Sequence, residues 1–149
     1  MMIPKKNLFV FLSLFSLIFL KSGFATSVLP MKLSQMESRA EKIFTGRCLS
    51  VEEELDENGL QATYVRFEVT KAVKGVEDGE IVLVKIFGTR RPLPPVAEGE
   101  SVMVPMRSVS FAAGGYEVNS TYRLYLYPES ELGFTSPVGG GQGKFLVSP

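Results

Sequence analysis

The sequence contains no histidine and a single cysteine, Cys48. The absence of histidine excludes a Ser-His-Asp triad, a Cys-His pair and the commonest zinc sites. One cysteine cannot form a disulfide within the chain. Because free cysteine is among the most buried residue types, we predict that Cys48 is a small apolar residue of the core. Pairing with a cysteine of another chain is the alternative.

Other catalytic signatures are also missing. The glycine-rich stretch at residues 139–143 lacks the lysine followed by serine or threonine that a phosphate-binding loop needs. The acidic run at residues 52–54 falls on a predicted strand, where adjacent side chains point to opposite faces and do not converge on one ion. Other acidic residues occur mostly at turns, where water is their expected partner. We therefore predict a non-catalytic protein without a metal or a cofactor.

The first 25 residues have the layout of a secretory signal peptide. Two lysines precede an apolar run at residues 8–20, and Gly23-Phe24-Ala25 then offers small residues to a signal peptidase. The run is shorter than the roughly 20 residues of a membrane-spanning helix. We predict cleavage near Ala25, a secreted or periplasmic address and one domain over residues 26–149. An uncleaved membrane anchor is the alternative.

The charge balance of the predicted mature chain is mildly acidic. All 16 acidic residues follow the predicted cleavage site, whereas three of the 16 basic residues precede it, which leaves a net charge of −3. Such a balance does not attract nucleic acid or an anionic membrane. The expected partner is an extracytoplasmic protein, either a protease or a component of the envelope, and no membrane contact is expected after cleavage.

Alternation of apolar and polar residues predicts a protein made mainly of β-strands. A turn at Asn58-Gly59 joins the first two, and Gly46 predicts a bulge or bend in the first. The third strand is apolar on both faces, which is typical of a strand covered on both sides. A capping-box pattern from Ser34 to Glu37 predicts a short helix over residues 34–41. The predicted strands are residues 42–55, 62–73, 80–87, 101–111, 121–127 and 145–147. Residues 116–118 and 121–127 are interpreted as a last hairpin or as one broken strand.

These elements predict an all-β fold with one short helix, arranged as a closed or nearly closed antiparallel barrel of about five to six strands. An open two-layer sandwich is the alternative. Pro105 places the predicted strand at residues 101–111 at an edge or a bulge, because proline cannot donate a ladder hydrogen bond.

Three segments within residues 40–88 resemble a known fold: AEKIFTGRCLSV, TYVRFEVTKAVKG and GEIVLVKIFG. This pattern is similar to the oligonucleotide/oligosaccharide-binding (OB) fold of the tissue inhibitors of metalloproteinases and the netrin-like modules. The chain also resembles small uncharacterised bacterial secreted proteins that end in a Q-G-x-F segment, here Gln142-Gly143-Lys144-Phe145. The resemblance implies an OB-like β-barrel over residues 26–149.

The resemblance carries over no inhibitory residue. The metalloproteinase inhibitors act through an N-terminal cysteine, whereas the predicted mature chain starts at Thr26 with no cysteine nearby. A fold does not imply a function. A protease inhibitor, with the proline-rich loop or the mature N-terminus as its wedge, is therefore an alternative to the leading interpretation.

Two groups of residues are candidates for binding. Arg90, Arg91 and Pro92 open a proline-rich loop, whose guanidinium groups suit a carboxylate or a phosphate; a solvated loop is the alternative. Tyr122, Tyr125 and Tyr127, together with Tyr116, offer rings that could stack bases or sugars on an OB-type barrel. Cross-strand packing is the alternative for these tyrosines.

The leading hypothesis from the sequence is an exported, non-catalytic binding module for a protein or a small molecule. Its alternatives are a protease inhibitor, in particular of metalloproteases, and a structural protein of envelope assembly.

Overall fold

The computed structural model describes residues 29–90 and 115–149. These residues form one short helix and five strands: α1 (Leu33–Arg39), β1 (Lys42–Leu55), β2 (Gln61–Lys74), β3 (Ile81–Phe87), β4 (Thr121–Leu126) and β5 (Lys144–Ser148). The predicted signal peptide at residues 1–25 and the predicted strand at residues 101–111 lie outside the described residues.

The hairpin of β1 and β2 is the longest pairing in the sheet, and its turn is the one expected at Asn58-Gly59. Two backbone N–H groups, of Asn58 and Leu60, donate to Asp56 Oδ1 at 2.9 Å. Gly59 has a φ of 74°, which glycine adopts without steric cost. An aspartate that binds the backbone two residues on is a recurrent turn-forming device, so Asp56 specifies this reversal.

The expected bulge at Gly46 is confirmed. The register of β1 against β2 shifts between Thr45 and Gly46. A Cβ atom at Gly46 would lie 3.1 Å from the Glu68 carbonyl oxygen and 3.1 Å from the Phe44 ring. The absence of a side chain therefore lets β1 bend here, while it pairs with β2 along one edge and with β4 along the other.

The five strands form one antiparallel sheet in the order β3-β2-β1-β4-β5. Three strands follow one another in sequence and β4 then returns beside β1, which is the strand order of a Greek key. The sheet does not close within the described residues. Two isolated bridges, Lys85 to Phe134 and Leu126 to Pro137, place residues 134–137 against both the outer edge of β3 and the end of β4.

Two apolar clusters hold the elements together. The larger cluster lies between β1, β2, β3 and β4 and includes Cys48, which is fully buried as predicted. The Phe67 ring makes edge contacts with three other rings of this cluster, Phe44, Tyr116 and Tyr122, at centroid distances of 5.8, 5.6 and 6.3 Å. The smaller cluster joins α1 to the sheet through Met36, Ala40, Ile43, Tyr125 and Val138.

The prediction that β3 is covered on both sides is wrong. Its residues alternate between buried and exposed, and the outward side chains of Ile81, Leu83 and Phe87 are 55%, 47% and 39% exposed. Residues 134–137 lie along the outer edge of β3, but no described helix or strand packs on the face that carries these three side chains. Apolar residues on both faces are equally compatible with a half-exposed strand, because an accessible surface contains many apolar atoms.

Two smaller expectations are also corrected. The helix begins at Leu33, so its N-cap is Lys32 rather than Ser34. The side chain of Gln35, rather than that of Glu37, accepts the N–H of the N-cap residue, with Lys32 N 2.9 Å from Gln35 Oε1. Residues 116–118 form no strand, because a turn with Asn119 at a φ of 71° leads directly into β4.

The predicted last strand is confirmed as β5, and the residues before it anchor the start of the described chain. Gln142 Oε1 accepts the N–H of Met31 at 2.7 Å, and Gln142 Nε2 donates to the Leu29 carbonyl at 3.1 Å. The Gly143 carbonyl accepts the N–H of Tyr125, and Gly143 N donates to the Val138 carbonyl, both at 2.8 Å. These residues therefore fix the N-terminal segment and β5 to the same part of the sheet.

Replacing Gly143 by alanine should destabilise this junction. The new Cβ would lie 2.8 Å from the Tyr125 carbonyl oxygen and 2.9 Å from the Val138 nitrogen, both of them backbone atoms that cannot move aside cheaply. We expect the free energy of unfolding to fall by about 2–3 kcal/mol, as for overpacked sites. Urea denaturation would measure the loss, and amide exchange should show reduced protection at Tyr125 and Gly143.

The matched control is Gly140→Ala in the same turn. A Cβ atom there meets nothing within 4 Å, so only the cost of its left-handed φ of 66° remains. That cost is about 1 kcal/mol and should leave the protection of β5 intact. Equal losses in the two variants would contradict the assigned close approach.

Candidate binding cleft

An open cleft of about 320 Å³ lies between the end of β3 and the chain that follows β4. Aromatic and aliphatic side chains dominate its lining, with two hydroxyl residues at one side. The lining residues are Ile86, Phe87, Tyr127, Pro128, Phe134, Thr135 and Ser136. The volume is at the lower end of the range of about 300–1,000 Å³ that is usual for ligand sites.

Backbone hydrogen bonds fix the two sides of the cleft relative to each other. Thr135 N donates to the Lys85 carbonyl at 2.9 Å, which ties the returning chain to β3. Thr135 Oγ1 donates to the Tyr127 carbonyl at 2.6 Å, and Tyr127 N donates to the Ser136 carbonyl at 3.0 Å. The Tyr127 hydroxyl accepts the N–H of Gly139 at 3.2 Å. These polar groups are thus already engaged within the protein.

A compact turn presents Phe134 to the cleft. Ser130 N donates to the Phe134 carbonyl at 2.8 Å, and Phe134 N donates to Ser130 Oγ at 3.1 Å. Gly133 completes the turn with a φ of 79°. The Phe134 ring makes an edge contact with Phe87 at a centroid distance of 5.6 Å, a favoured geometry for aromatic pairs.

The ammonium group of Lys85 joins three parts of the chain behind Phe134. It donates to Asp56 Oδ2 in the β1–β2 turn at 2.9 Å and to the Leu132 carbonyl at 2.9 Å. It lies 4.3 Å from the centroid of the Phe134 ring and 3.6 Å from Glu57 Oε1. The side chains of Asp56 and Lys85 are 0% and 11% exposed, so this ion pair is shielded from water.

Both partners of this pair are charged at neutral pH. Burial raises the pKa of Asp56, but the bonds from Lys85 and from the N–H groups of Leu60 and Asn58 together bring it below its usual value. The hydrogen bond to Asp56 raises the pKa of Lys85, and this effect exceeds the lowering by burial. A lysine nucleophile needs a lowered pKa, so Lys85 is suited to structure rather than to covalent catalysis.

The cysteine is also poorly suited to chemistry. Burial raises the pKa of Cys48, and the contact with the Ser50 carbonyl lowers it by less. The thiolate is the reactive form of cysteine, so a buried thiol with a raised pKa is inert.

Of the predicted arginine site, only Arg90 belongs to the described residues; Arg91 and Pro92 lie outside them. Arg90 is exposed, and its backbone N–H donates to Glu53 Oε1 at 2.7 Å. It comes three residues after Phe87 in the chain, but it does not line the cleft.

The structure separates the three predicted tyrosines. Tyr122 is buried in the larger core cluster, where its hydroxyl accepts the N–H of Glu117 at 2.9 Å. Tyr125 is buried in the smaller cluster. These positions agree with cross-strand packing rather than with one shared stacking surface. Tyr127 alone of the three lines the cleft.

The sequence analysis did not single out Phe87, Phe134, Lys85 or Asp56. Phe134 lies in an irregular segment that no periodicity assigns to a surface. Lys85 did offer a signal, because a lone charge within an apolar strand requires a partner if it is shielded from water. Its partner Asp56 is 29 positions away in the sequence, so the pair is visible only in the folded chain.

No family model, no curated protein and no solved structure matches this chain. Within residues 29–90 and 115–149, no helix is long and apolar enough to cross a membrane. The same residues contain no group of three or more acidic, cysteine or histidine side chains placed to hold a metal ion.

The Asp56→Asn variant should lower the free energy of unfolding by about 1–2 kcal/mol at pH 7, because it weakens a shielded hydrogen bond between charges. The pKa of Asp56 is lowered on folding, so the ion pair stabilises above the unfolded pKa of about 3.9 and is lost as pH falls through the folded value. The difference from the parent should therefore shrink below about pH 4. Denaturation measured from pH 3 to pH 8 checks both statements.

Glu68→Gln is the matched control. Glu68 pairs with Arg47 at a similar 2.8 Å, but the two side chains are 41% and 47% exposed. Its removal should change stability by less than about 0.5 kcal/mol. If Glu68→Gln lowered the free energy of unfolding as much as Asp56→Asn does, the shielded ion pair would not be the more stabilising of the two.

Proposed function

We propose that this protein is an exported, non-catalytic binding module that takes an apolar group of a protein or a small molecule into the cleft. The observation that carries the proposal is the cleft itself, in which Phe87 and Phe134 are presented by hydrogen-bonded backbone. The backbone groups and the Thr135 and Tyr127 hydroxyls beside this apolar cleft already have partners, so the cleft offers burial to a ligand without loss of those bonds.

The exposed apolar residues of β3 extend the same surface. Ile81, Leu83, Lys85 and Phe87 occupy every second position of β3. They therefore all lie on the outer face of the strand. Exposed apolar surface next to a cleft is typical of a binding region. This continuity favours a ligand larger than a single side chain.

The proposed fold is a partly open OB-like barrel. The Greek-key strand order and the bridges that residues 134–137 make to β3 and β4 support it, since these bridges connect the edge strand β3 to a strand on the other side of β1. OB folds are five-stranded, partly open Greek-key barrels that bind ligands on one face.

The chemistry of the described residues supports binding rather than catalysis. The whole sequence lacks histidine. The shielded lysine carries a raised pKa, and the buried cysteine also has a raised pKa. The protease-inhibitor hypothesis concerns a loop and an N-terminus that fall mostly outside the described residues, so no observation favours it over a binding module. No observation favours a structural role in envelope assembly over a binding module either.

The test is an NMR titration of the folded protein with N-acetyl-phenylalanine amide as the probe. We expect saturable shifts of the amide signals of cleft residues, among them Phe87, Phe134 and Ser136. The Phe87→Ala variant should remove most of this response, because it deletes one of the two facing rings.

Leu83→Ala is the matched control, because Leu83 is exposed on the same face of the same strand but does not line the cleft. It should leave the response unchanged. Shifts that ignore the cleft, or that survive Phe87→Ala, would rule out the cleft as the binding site.

A further inference from the structure

We infer that the cleft recognises an extended cationic polypeptide, with one apolar side chain in the cleft and lysine or arginine side chains on either side of it. The inference rests on the proposed function of the cleft and adds the class of partner. The distribution of charge around Phe87 and Phe134 carries it.

Two acidic segments free of lysine and arginine meet behind the cleft. Residues 51–60 contain five acidic side chains, and residues 127–143 contain two. Lys85 brings the segments together, because its ammonium group contacts Asp56 in the first and the Leu132 carbonyl in the second. Glu131 immediately precedes Leu132, so it lies close to this meeting point.

The strand register adds two more carboxylates to the same face. Across the sheet, Glu54 of β1 lies opposite Ala62 of β2, which lies opposite Phe87 of β3. In the neighbouring row of the same face, Glu52 lies opposite Tyr64, which lies opposite Lys85. Residues directly opposite one another in neighbouring strands share a face. Adjacent strands are about 5 Å apart, so the backbone positions of these glutamates on β1 lie about 10 Å from β3, the strand that borders the cleft.

We call this set the acidic rim: Glu52, Glu54, Glu57 and Glu131. Of the described cations close to it, Lys85 and Lys42 are paired with carboxylates, whereas Arg66 and Arg90 are exposed and offset part of its charge; the N–H of Arg90 binds Glu53, beside Glu52 and Glu54. Lys85 lies 2.9 Å from Asp56 and 3.6 Å from Glu57, so these three groups together keep one net negative charge. Lys42 is paired at 2.6 Å with Glu129, which is therefore left out of the rim. Arg66 occupies the next row of the same face, opposite Leu83, and limits the rim on that side.

The rim favours a cationic polypeptide over other ligands. A surface with an excess of one sign attracts ligands of the opposite sign and repels polyanions such as nucleic acid. A metal ion is not favoured, because no described group of acidic residues converges on one point. An extended chain rises about 3.3 Å per residue, so a lysine two residues from the anchoring side chain can reach carboxylates about 10 Å away.

The experiment uses three acetylated, amidated peptides and NMR titration of the folded protein. The first peptide is Gly-Lys-Gly-Phe-Gly-Lys-Gly, the second has glutamate in place of both lysines, and the third has alanine in place of phenylalanine. We expect the lysine peptide to shift signals of Phe87 and Phe134 and to bind at least about tenfold more tightly than the glutamate peptide. The alanine peptide should not shift the cleft.

The Glu57→Gln/Glu131→Gln variant should weaken binding of the lysine peptide by about fivefold, the effect expected for two exposed charge pairs. It should also reduce the dependence on salt and leave the binding of N-acetyl-phenylalanine amide unchanged. The control, Glu37→Gln/Glu77→Gln, removes the same charge from α1 and from the β2–β3 turn. It should bind like the parent.

Equal affinity for the lysine and glutamate peptides would overturn the inference, and so would equal effects of the rim and control variants. If both peptides still acted through Phe87, the proposed function would stand without the preference for cations. If neither the peptides nor N-acetyl-phenylalanine amide perturbed the cleft, the proposed function would fail with it.

Discussion

The ammonium group of Lys85 holds together the segments that form the cleft. Lys85 lies on β3, but its contacts are to the β1–β2 turn, through Asp56, and to the chain after β4, through the Leu132 carbonyl and the Phe134 ring. Removing a charge from water is costly unless the charge is paired and hydrogen-bonded. Lys85 meets that condition only when both segments are in place, so its requirements couple the turn, the strand and the cleft.

Asp56 has two functions at once, and it links the β1–β2 turn to Lys85 through one side chain. Its Oδ1 atom accepts two backbone N–H groups that close the β1–β2 turn, while Oδ2 accepts Lys85. Because a carboxylate offers several acceptor sites, neither function displaces the other. The turn therefore sets the position of the charge that holds Phe134, and a cleft formed in advance loses little conformational freedom when a ligand binds.

Local patterns in the sequence were enough for the parts of the fold that depend on neighbouring residues. The Asn58-Gly59 turn, the bend at Gly46, the burial of Cys48 and the final strand all follow from residue type and alternation. The exposure of β3 did not follow, because the same apolar residues fit a covered or an uncovered face. The cleft was not predictable for a different reason: Phe87 and Phe134 are far apart in sequence and meet only through the register of β3 with an irregular segment.

The neutralisation of Lys85 also shapes the electrostatics outside the core. Lys85, the described cation at the junction of two segments that carry only acidic charge, lies 2.9 Å from Asp56 and 3.6 Å from Glu57, so this group keeps a negative charge while Glu52, Glu54 and Glu131 face solvent. An unshielded lysine at this position would offset one of them. The structural requirement of the fold and the sign of the surrounding field thus have a common origin, and a field of one sign beside a preformed apolar cleft selects among ligands by charge before they make contact.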